Sequence, residues 1–197
     1  MSPRDPGPTR AAVLLSASQL LESGGPEAVT LRAVGEAAGV SRSAAYRHFD
    51  DKAALLSELA RLTLTEMAES IRAAAIDTDS RVNLRLGSGA YVDYALQNPH
   101  HYQLIFGETP LSAPTPELEA AADEAMAALQ HLIERAQTAG QLGGGAPREL
   151  ATVLWVLLHG IAALQITGHL HEPRTLDGDT RLNELLDLAL ASFRPVE

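Results

Sequence analysis

The stretch TLRAVGEAAGVSRSAAYRHFDDKAALL, residues 30–56, decides the fold of this chain. It contains two short runs of helix-forming residues on either side of Gly39, a residue type that adopts positive φ without steric penalty. Thr30 and Ser41 precede the two runs, and each hydroxyl can accept a hydrogen bond from an unpaired N–H of the first helical turn. The stretch therefore predicts two short helices joined by a tight turn.

These two helices, with a third helix before them, fit a helix-turn-helix, a motif that places its second helix in the major groove of DNA. Four apolar side chains are predicted to hold the pair together: Val34, Ala38, Val40 and Ala45. The second helix is then expected to direct polar side chains outward: Arg42, Ser43, Arg47 and His48. Small residues such as Ser43 and Ala44 allow its backbone to approach the walls of a groove about 12 Å wide.

Hydrophobic periodicity predicts helices along the rest of the chain, and no run of alternating β-branched residues indicates a strand. The predicted helices span about 9–23, 31–38, 42–48, 52–76, 81–97, 101–106, 117–140, 147–168 and 180–193. The predicted fold is all-α with about nine helices. It comprises an N-terminal helix-turn-helix head of three helices within residues 1–61 and a C-terminal helical ligand-binding and dimerisation domain, residues 62–197.

Composition excludes several classes of protein. The 197 residues are 46% hydrophobic and 20% charged, which is typical of a globular chain. The absence of cysteine excludes disulfides, thiolate nucleophiles and Cys-ligated metals. The most apolar stretch, 150–164, is shorter than the ~20 residues that a membrane span needs, so we expect a buried helix and no membrane partner. The first ten residues contain no apolar signal segment, which favours a cytoplasmic protein.

The charge is distributed unevenly along the chain. Residues 1–61 contain seven basic and seven acidic residues, so the whole net charge of −10 falls on residues 62–197. A neutral head on an acidic body would approach a polyanion end-on, because the body is repelled. Acidic bodies are also common in proteins without this function, so the charge pattern alone leaves both interpretations open.

The segments Ala38-Gly39-Val40-Ser41 and Tyr46-x-His48-Phe49-x-x-Lys52 resemble the N-terminal DNA-binding region of TetR-family transcriptional regulators. The resemblance extends over about residues 9–61. It implies a regulator that binds a double-stranded DNA operator as a homodimer, and no cofactor is expected.

The same resemblance implies the residues that contact DNA. The implied phosphate contacts are Thr30, Ser41, Tyr46 and Lys52. The implied base or near-base contacts are Arg42, Ser43, Ala44 and Arg47, and Arg32 and His48 complete the predicted set. A half-buried core position is the alternative for the ring of Tyr46, and His48 could serve either role.

Further along, Trp155 with His159-Gly160 resembles a TetR ligand-domain subfamily marked by a Trp-His-Gly signature. Scarce aromatic residues and a few polar ones in the body could also line an apolar pocket for a small molecule. The predicted ligand-binding residues are Met67, Tyr91, Tyr94, Tyr102, Phe106, Met126, Trp155, His159 and Gln165. Ordinary core packing remains the alternative for several of them, including a hydrogen-bonded core position for His159.

Dimerisation is predicted from the last two helices, which form a four-helix bundle across a two-fold axis in the TetR family. The predicted interface residues are Leu154, Leu158, Ile161, Leu182, Leu185, Leu186, Ala189 and Phe193. Packing inside one subunit is the alternative for some of them, because the helix over 147–168 is apolar nearly all round.

The functional prediction is a repressor that binds a palindromic operator as a homodimer and is released by a small apolar or amphipathic molecule. A ligand-independent regulator or an activator on the same fold is the alternative. An enzyme is the remote one, because no catalytic Ser/His/Asp order, carboxylate pair or nucleotide loop stands out. The pairs His100-His101 and His169-x-His171 lack further ligands, so no metal site is expected.

Overall fold

The computed structural model describes residues 6–107, 115–170, 182–191 and 193, with the side chains of residues 6–8, 42, 182 and 183 outside this description. The described residues form nine helices and no strand. The helices are α1 Pro6–Ala28, α2 Leu31–Ala37, α3 Arg42–Tyr46, α4 Lys52–Ala74, α5 Ser80–Gln97, α6 Pro99–Phe106, α7 Pro116–Thr138, α8 Pro147–Ile166 and α9 Leu182–Ala191. The predicted all-helical architecture is confirmed.

Helix α1 is interrupted at its Gly-Gly-Pro sequence, where the sequence predicts that the first helix stops. Gly25 leaves the helical conformation, with φ 66° and ψ −172°, and a further helical turn continues to Ala28. Pro26 begins this turn, where its missing N–H removes no hydrogen bond and its fixed φ suits a helix. The long first helix therefore ends at Gly25, and a separate helical turn follows it.

The chain divides into two compact units, and the first comprises residues 1–63 and 98–120. It contains the predicted head and, in addition, α6 and the start of α7. Helix α6 packs on α1. The Ser18 hydroxyl lies 2.9 Å from Nε2 of His101, and Nδ1 of His100 lies 2.8 Å from the carbonyl oxygen of Glu22. Helix α6, which the sequence assigned to the body, is thus part of the first unit.

An ion-pair triad fastens the beginning of α1 to α4 in this unit. The Glu58 carboxylate accepts hydrogen bonds from Arg61 at 2.8 and 3.0 Å and from Arg10 at 2.8 Å. The Arg10 guanidinium also lies 5.4 Å from the centre of the buried Phe49 ring. The hydrogen bond from Arg61, then that from Arg10, lowers the pKa of Glu58 against the opposing effect of its burial.

The second unit comprises residues 64–97 and 121–197. Its core is apolar and includes Ile71, Tyr91, Ile133, Leu154 and Leu158. Helix α5 contacts α8 and α9, which also contact each other. Two ion pairs link α7 to its neighbours: Arg72 of α4 bonds Glu124 at 2.6 Å, and Arg148 of α8 bonds Asp123 at 3.0 Å.

Helix α8 is apolar on nearly all sides, and only one side is buried within its unit. Ala151, Leu154, Leu158 and Ala162 form the buried side, whereas three large apolar residues on this helix are exposed: Val153, Val156 and Leu164. Among the described helices it is the one long and apolar enough to cross a membrane, with 22% of its apolar window buried. One such helix is weak evidence for a membrane span, because the core helices of soluble proteins can be equally long and apolar. The expectation of a buried helix is therefore met on one side only.

The Glu58 triad predicts a pH dependence of stability. Because the folded-state pKa of Glu58 lies below its ordinary value of 4.5, its stabilising contribution is present above that pH and is lost as the pH falls through the lowered pKa. We expect Glu58→Gln to reduce the free energy of unfolding at neutral pH and to make that free energy fall less as the pH drops below 4.5. Urea unfolding at a series of pH values measures both effects. Glu22→Gln, on the exposed part of α1, is the matched control. An equal change in the pH dependence of its free energy of unfolding would contradict the assignment to Glu58.

Candidate nucleic-acid interface

Helices α2 and α3 are held in place by two side-chain caps and a glycine turn. The Thr30 hydroxyl accepts from the N–H of Ala33 at 3.1 Å, and the Ser41 hydroxyl accepts from the N–H of Ala44 at 3.2 Å. Gly39 lies between the helices with φ 64°, as its place in the turn requires. The predicted motif of two short helices joined by a tight turn is present in this form.

Helix α3 is five residues long and has a buried and an exposed side. Ala44, Ala45 and the nearby Phe49 are each no more than 5% exposed. Ser43 is exposed, as are Tyr46, which is 44% exposed, and Arg47, which follows the helix directly. The methyl group of Ala44 packs inside the head, so the predicted near-base contact of this residue would have to come from its backbone.

Thr30 and Ser41 can serve both the helices and a phosphate. Each hydroxyl oxygen accepts one backbone N–H, which leaves its proton free to be donated to another acceptor. The hydroxyls of Ser41 and Ser43 are 3.0 Å apart, so Ser41 keeps its proton for a phosphate when Ser43 is the donor of that pair. Both caps are exposed, Thr30 at the start of α2 and Ser41 at the start of α3. This position suits the phosphate contacts that the sequence implies, since the N–H groups of a helix start attract anions.

The cations of the predicted set differ in their partners. Arg32 is exposed on α2 and its Nε donates to Glu36 at 3.1 Å. Lys52, the first residue of α4, lies 3.5 Å from the Glu27 carboxylate. Arg42 begins α3, with its side chain outside the described residues, and His48 is half-buried. The exposed Arg47 makes no ion pair with any described residue.

The sequence did not identify the two glutamates as part of this surface. Arg32 and Glu36 are four residues apart on one helix, a spacing at which side chains of opposite charge meet, so this pair could have been predicted. Glu27 and Lys52 are far apart in sequence, and no local pattern indicates that they meet.

The predicted ligand-binding residues are divided between the two units. Tyr102 and Phe106 belong to the first unit, where their ring centres are 4.9 Å apart. The second unit holds Met67 and Tyr91, both nearly fully buried, and the half-buried Tyr94, Met126, Trp155 and His159. Gln165 is exposed near the end of α8, which does not fit the wall of an enclosed pocket.

Trp155 and His159 lie one turn apart on α8 with ring centres 5.6 Å apart. Burial lowers the pKa of His159 below its ordinary value of 6.5, so its imidazole is neutral at pH 7 and can donate one hydrogen bond and accept another. A cavity of about 360 Å³ lies elsewhere in the second unit, with Leu86 of α5, Leu142 and Leu190 of α9 among its walls. None of the nine predicted ligand residues lines that cavity. Among the described residues, no cluster of three or more His, Asp or Glu side chains could hold a metal ion.

The predicted dimer interface is corrected in part. Four of its residues are buried inside the subunit: Leu154, Leu158, Leu186 and Phe193. Ile161, Leu185 and Ala189 are half-buried, and the side chain of Leu182 lies outside the described residues. The large apolar residues that are exposed on these helices are Val153, Val156 and Leu164 of α8 and Leu188 of α9. The sequence could have indicated these exposed residues, because α8 is apolar on nearly all sides and one subunit can bury only part of such a helix.

Known proteins resemble this chain over nearly its whole length. A sequence profile of bacterial regulatory proteins of the tetR family matches residues 13–59, and a profile of the tetracyclin repressor-like C-terminal domain matches residues 84–191, more than half of the chain. The HTH-type transcriptional activator FasR of Mycolicibacterium smegmatis is 25% identical over 190 residues, covering 95% of this chain and 83% of that protein.

Solved structures share the fold. A protein of unknown function from Rhodococcus sp. RHA1 superposes with a TM-score of 0.80 at 28% identity, covering 94% of this chain and 93% of the other. The TetR-family regulator PfmR of Thermus thermophilus superposes with a TM-score of 0.64 at 21% identity, covering 91% of this chain and 97% of the other.

The exposure of Arg47 predicts how its loss affects DNA binding. If its guanidinium contacts a base edge, Arg47→Ala weakens binding to a selected operator by about 1–3 kcal/mol and flattens the preference at one base position. Titration of labelled operator and random duplexes measures both effects. Arg81→Ala, which removes an exposed arginine of the second unit, is the control. Equal losses on operator and random DNA would instead identify Arg47 as a phosphate contact.

Proposed function

Because this chain belongs to the TetR family of bacterial regulatory proteins, we propose that it is a repressor that binds a palindromic operator as a homodimer and releases it when a small apolar or amphipathic molecule binds. It is a DNA-binding transcriptional regulator rather than an enzyme. The observation that carries the proposal is the exposed side of α3, which presents Ser43 and Arg47 on a helix whose start is capped by Ser41. We place its action in the cytoplasm, with its DNA.

The head supplies both kinds of contact that sequence-specific binding needs. Ser43 and Arg47 on α3 read base edges in the major groove, with Arg42 at the start of the same helix. Thr30, Ser41 and Lys52 bind phosphates on either side and fix the position of the helix along the groove. Because α3 has only five residues, it reads few base pairs. Two copies, with half-sites about one DNA turn apart, therefore give a palindromic operator.

The exposed apolar side of α8 and α9 supports the homodimer. Val153, Val156 and Leu164 of α8 and Leu188 of α9 are each about half exposed, and α8 and α9 are in contact. A surface of this kind is costly to leave in water, and a second copy of the same surface would cover it. The half-buried Ile161, Leu185 and Ala189 from the predicted set belong to the margin of this interface.

The effector acts in the second unit. Trp155 supplies a half-buried aromatic ring there, and the neutral imidazole of His159 supplies a hydrogen-bonding group beside it. This combination suits an amphipathic molecule, and it agrees with the Trp-His-Gly subfamily that the sequence resembles. An effector that binds the operator-free conformation more tightly lowers DNA affinity by that difference, tenfold for each ~1.4 kcal/mol.

Activation is the second candidate function. The relative from Mycolicibacterium smegmatis, similar over 95% of this chain, is described as a transcriptional activator. The same head and dimer serve either outcome, because the position of the operator relative to the promoter determines whether bound protein blocks or assists transcription. Deletion of the gene distinguishes the two: target transcripts rise if the protein represses them and fall if it activates them.

The experiment that tests the function is a footprint of the purified protein on DNA upstream of its own gene, followed by selection from random duplexes. A protected palindrome, bound far more tightly than competitor DNA across a salt series, supports the proposal. Binding that is weak, independent of sequence and abolished by moderate salt would overturn it, because such binding comes from phosphate contacts alone.

The dimer surface gives a separate prediction. Val156→Arg places a charge on the exposed apolar side of α8, and we expect the dimer to dissociate at least about tenfold more readily, or ~1.4 kcal/mol. Gln165→Arg is the matched control, because nine residues along a helix place its side chain on the opposite side of α8. Sedimentation equilibrium measures both variants, and circular dichroism verifies their fold. If the Val156→Arg variant associates as tightly as the wild-type protein, the exposed side of α8 is not part of the dimer interface.

A further inference from the structure

Two carboxylates lie among the cations of the predicted DNA-binding face. Glu36 holds Arg32 at 3.1 Å on α2, where both side chains are about 70% exposed. Glu27 lies in the helical turn after the Gly25 break, 3.5 Å from Lys52 at the start of α4. Two of the three cations of this face whose side chains are described are thus paired with an acid.

Stability does not explain these pairs. An ion pair between exposed side chains contributes about 0–1 kcal/mol, because water screens the charges and both side chains lose freedom. The side chain of Glu27 is 96% exposed, so its pair is at the weak end of this range. Each carboxylate nevertheless cancels one positive charge of a surface that has to bind a polyanion.

We infer that Glu27 and Glu36 are specificity-determining residues that suppress sequence-independent binding to DNA. The inference rests on the proposed function of this face. A phosphate that binds Arg32 or Lys52 has to share the cation with the paired carboxylate or displace it, and in both cases the carboxylate stays nearby and repels the phosphate. Binding to random DNA comes almost entirely from such phosphate contacts, so these acids lower it toward the level of weak, transient encounters.

The two carboxylates weaken phosphate contacts with the operator as well. Operator binding remains tight because α3 adds base contacts that random DNA does not offer. A regulator competes with an excess of non-specific genomic sites, so weak binding to these sites leaves more protein for the operator. The head has no net charge and owes little of its affinity to a general attraction of polyanions. The two acids therefore make occupancy depend on the base contacts of α3.

The test compares Glu27→Gln and Glu36→Gln with the wild-type protein on a random duplex and on the selected operator. Each substitution keeps the length of the side chain, and Gln is as good a helix former as Glu, so the fold is expected to persist. We expect each variant to bind the random duplex about three- to tenfold more tightly at low salt. The slope of log K against log salt should steepen by up to about 0.9, the value for one further neutralised phosphate.

Two further variants test whether the effect depends on the position of the negative charge and whether it depends on the charge itself. Glu22→Gln removes an exposed carboxylate of α1 that pairs with none of these cations, and its affinity for random DNA should change by less than about twofold. Glu36→Asp keeps the negative charge and should remain within about twofold of the wild type.

The outcomes are distinct. Tighter, more salt-dependent binding by Glu27→Gln and Glu36→Gln, with no such change in Glu22→Gln, supports the inference. No change in the first two, or an equal change in all three, overturns it, because the effect would then be absent or a matter of total charge. If the wild-type protein and every variant fail to bind any duplex, the proposed DNA-binding face itself is overturned.

Discussion

The orientation of the DNA-binding face depends on burial beneath a helix that is too short to be stable alone. An isolated helix needs about 12–15 residues to be even marginally stable in water, and α3 has five. Its structure therefore comes from the packing of Ala44, Ala45 and Phe49 and from the cap at Ser41. Because the buried side is fixed by the core, the side that carries Ser43 and Arg47 is fixed with it.

Local features of the sequence were sufficient to predict the motif but not its details. A capping hydroxyl, a glycine that needs positive φ and a few apolar residues all act over three or four positions, so the two short helices could be read directly. The rotation of α3 about its axis could not be predicted in this way. A helix of one and a half turns is too short for hydrophobic periodicity to show which side is buried. Ala44 and Ala45 are chemically identical, and no local pattern distinguishes the first of them as a core residue.

Contacts between distant parts of the chain account for the other errors. His101 and Ser18 are 83 residues apart, and nothing near either residue indicates that α6 packs on α1. Helix α8 is difficult for a different reason. It is apolar on nearly all sides, so its sequence does not show which side packs in the core of the subunit. Periodicity predicted the helix correctly but could not distinguish Leu154, which is buried in the subunit, from Val156, which is exposed.

The placement of α6 with the head has a consequence for building hybrid regulators. A hybrid made by joining the first three helices to a foreign sensor would treat those helices as an interchangeable cassette. A cassette cut near residue 61 would separate Ser18 and Glu22 from the two histidines of α6 and would divide α4 in the middle. The foreign sensor would have to supply a matching pair of hydrogen-bonding groups in its own α6. Compatibility between cassettes is thus determined at the surface of α1 that packs on α6.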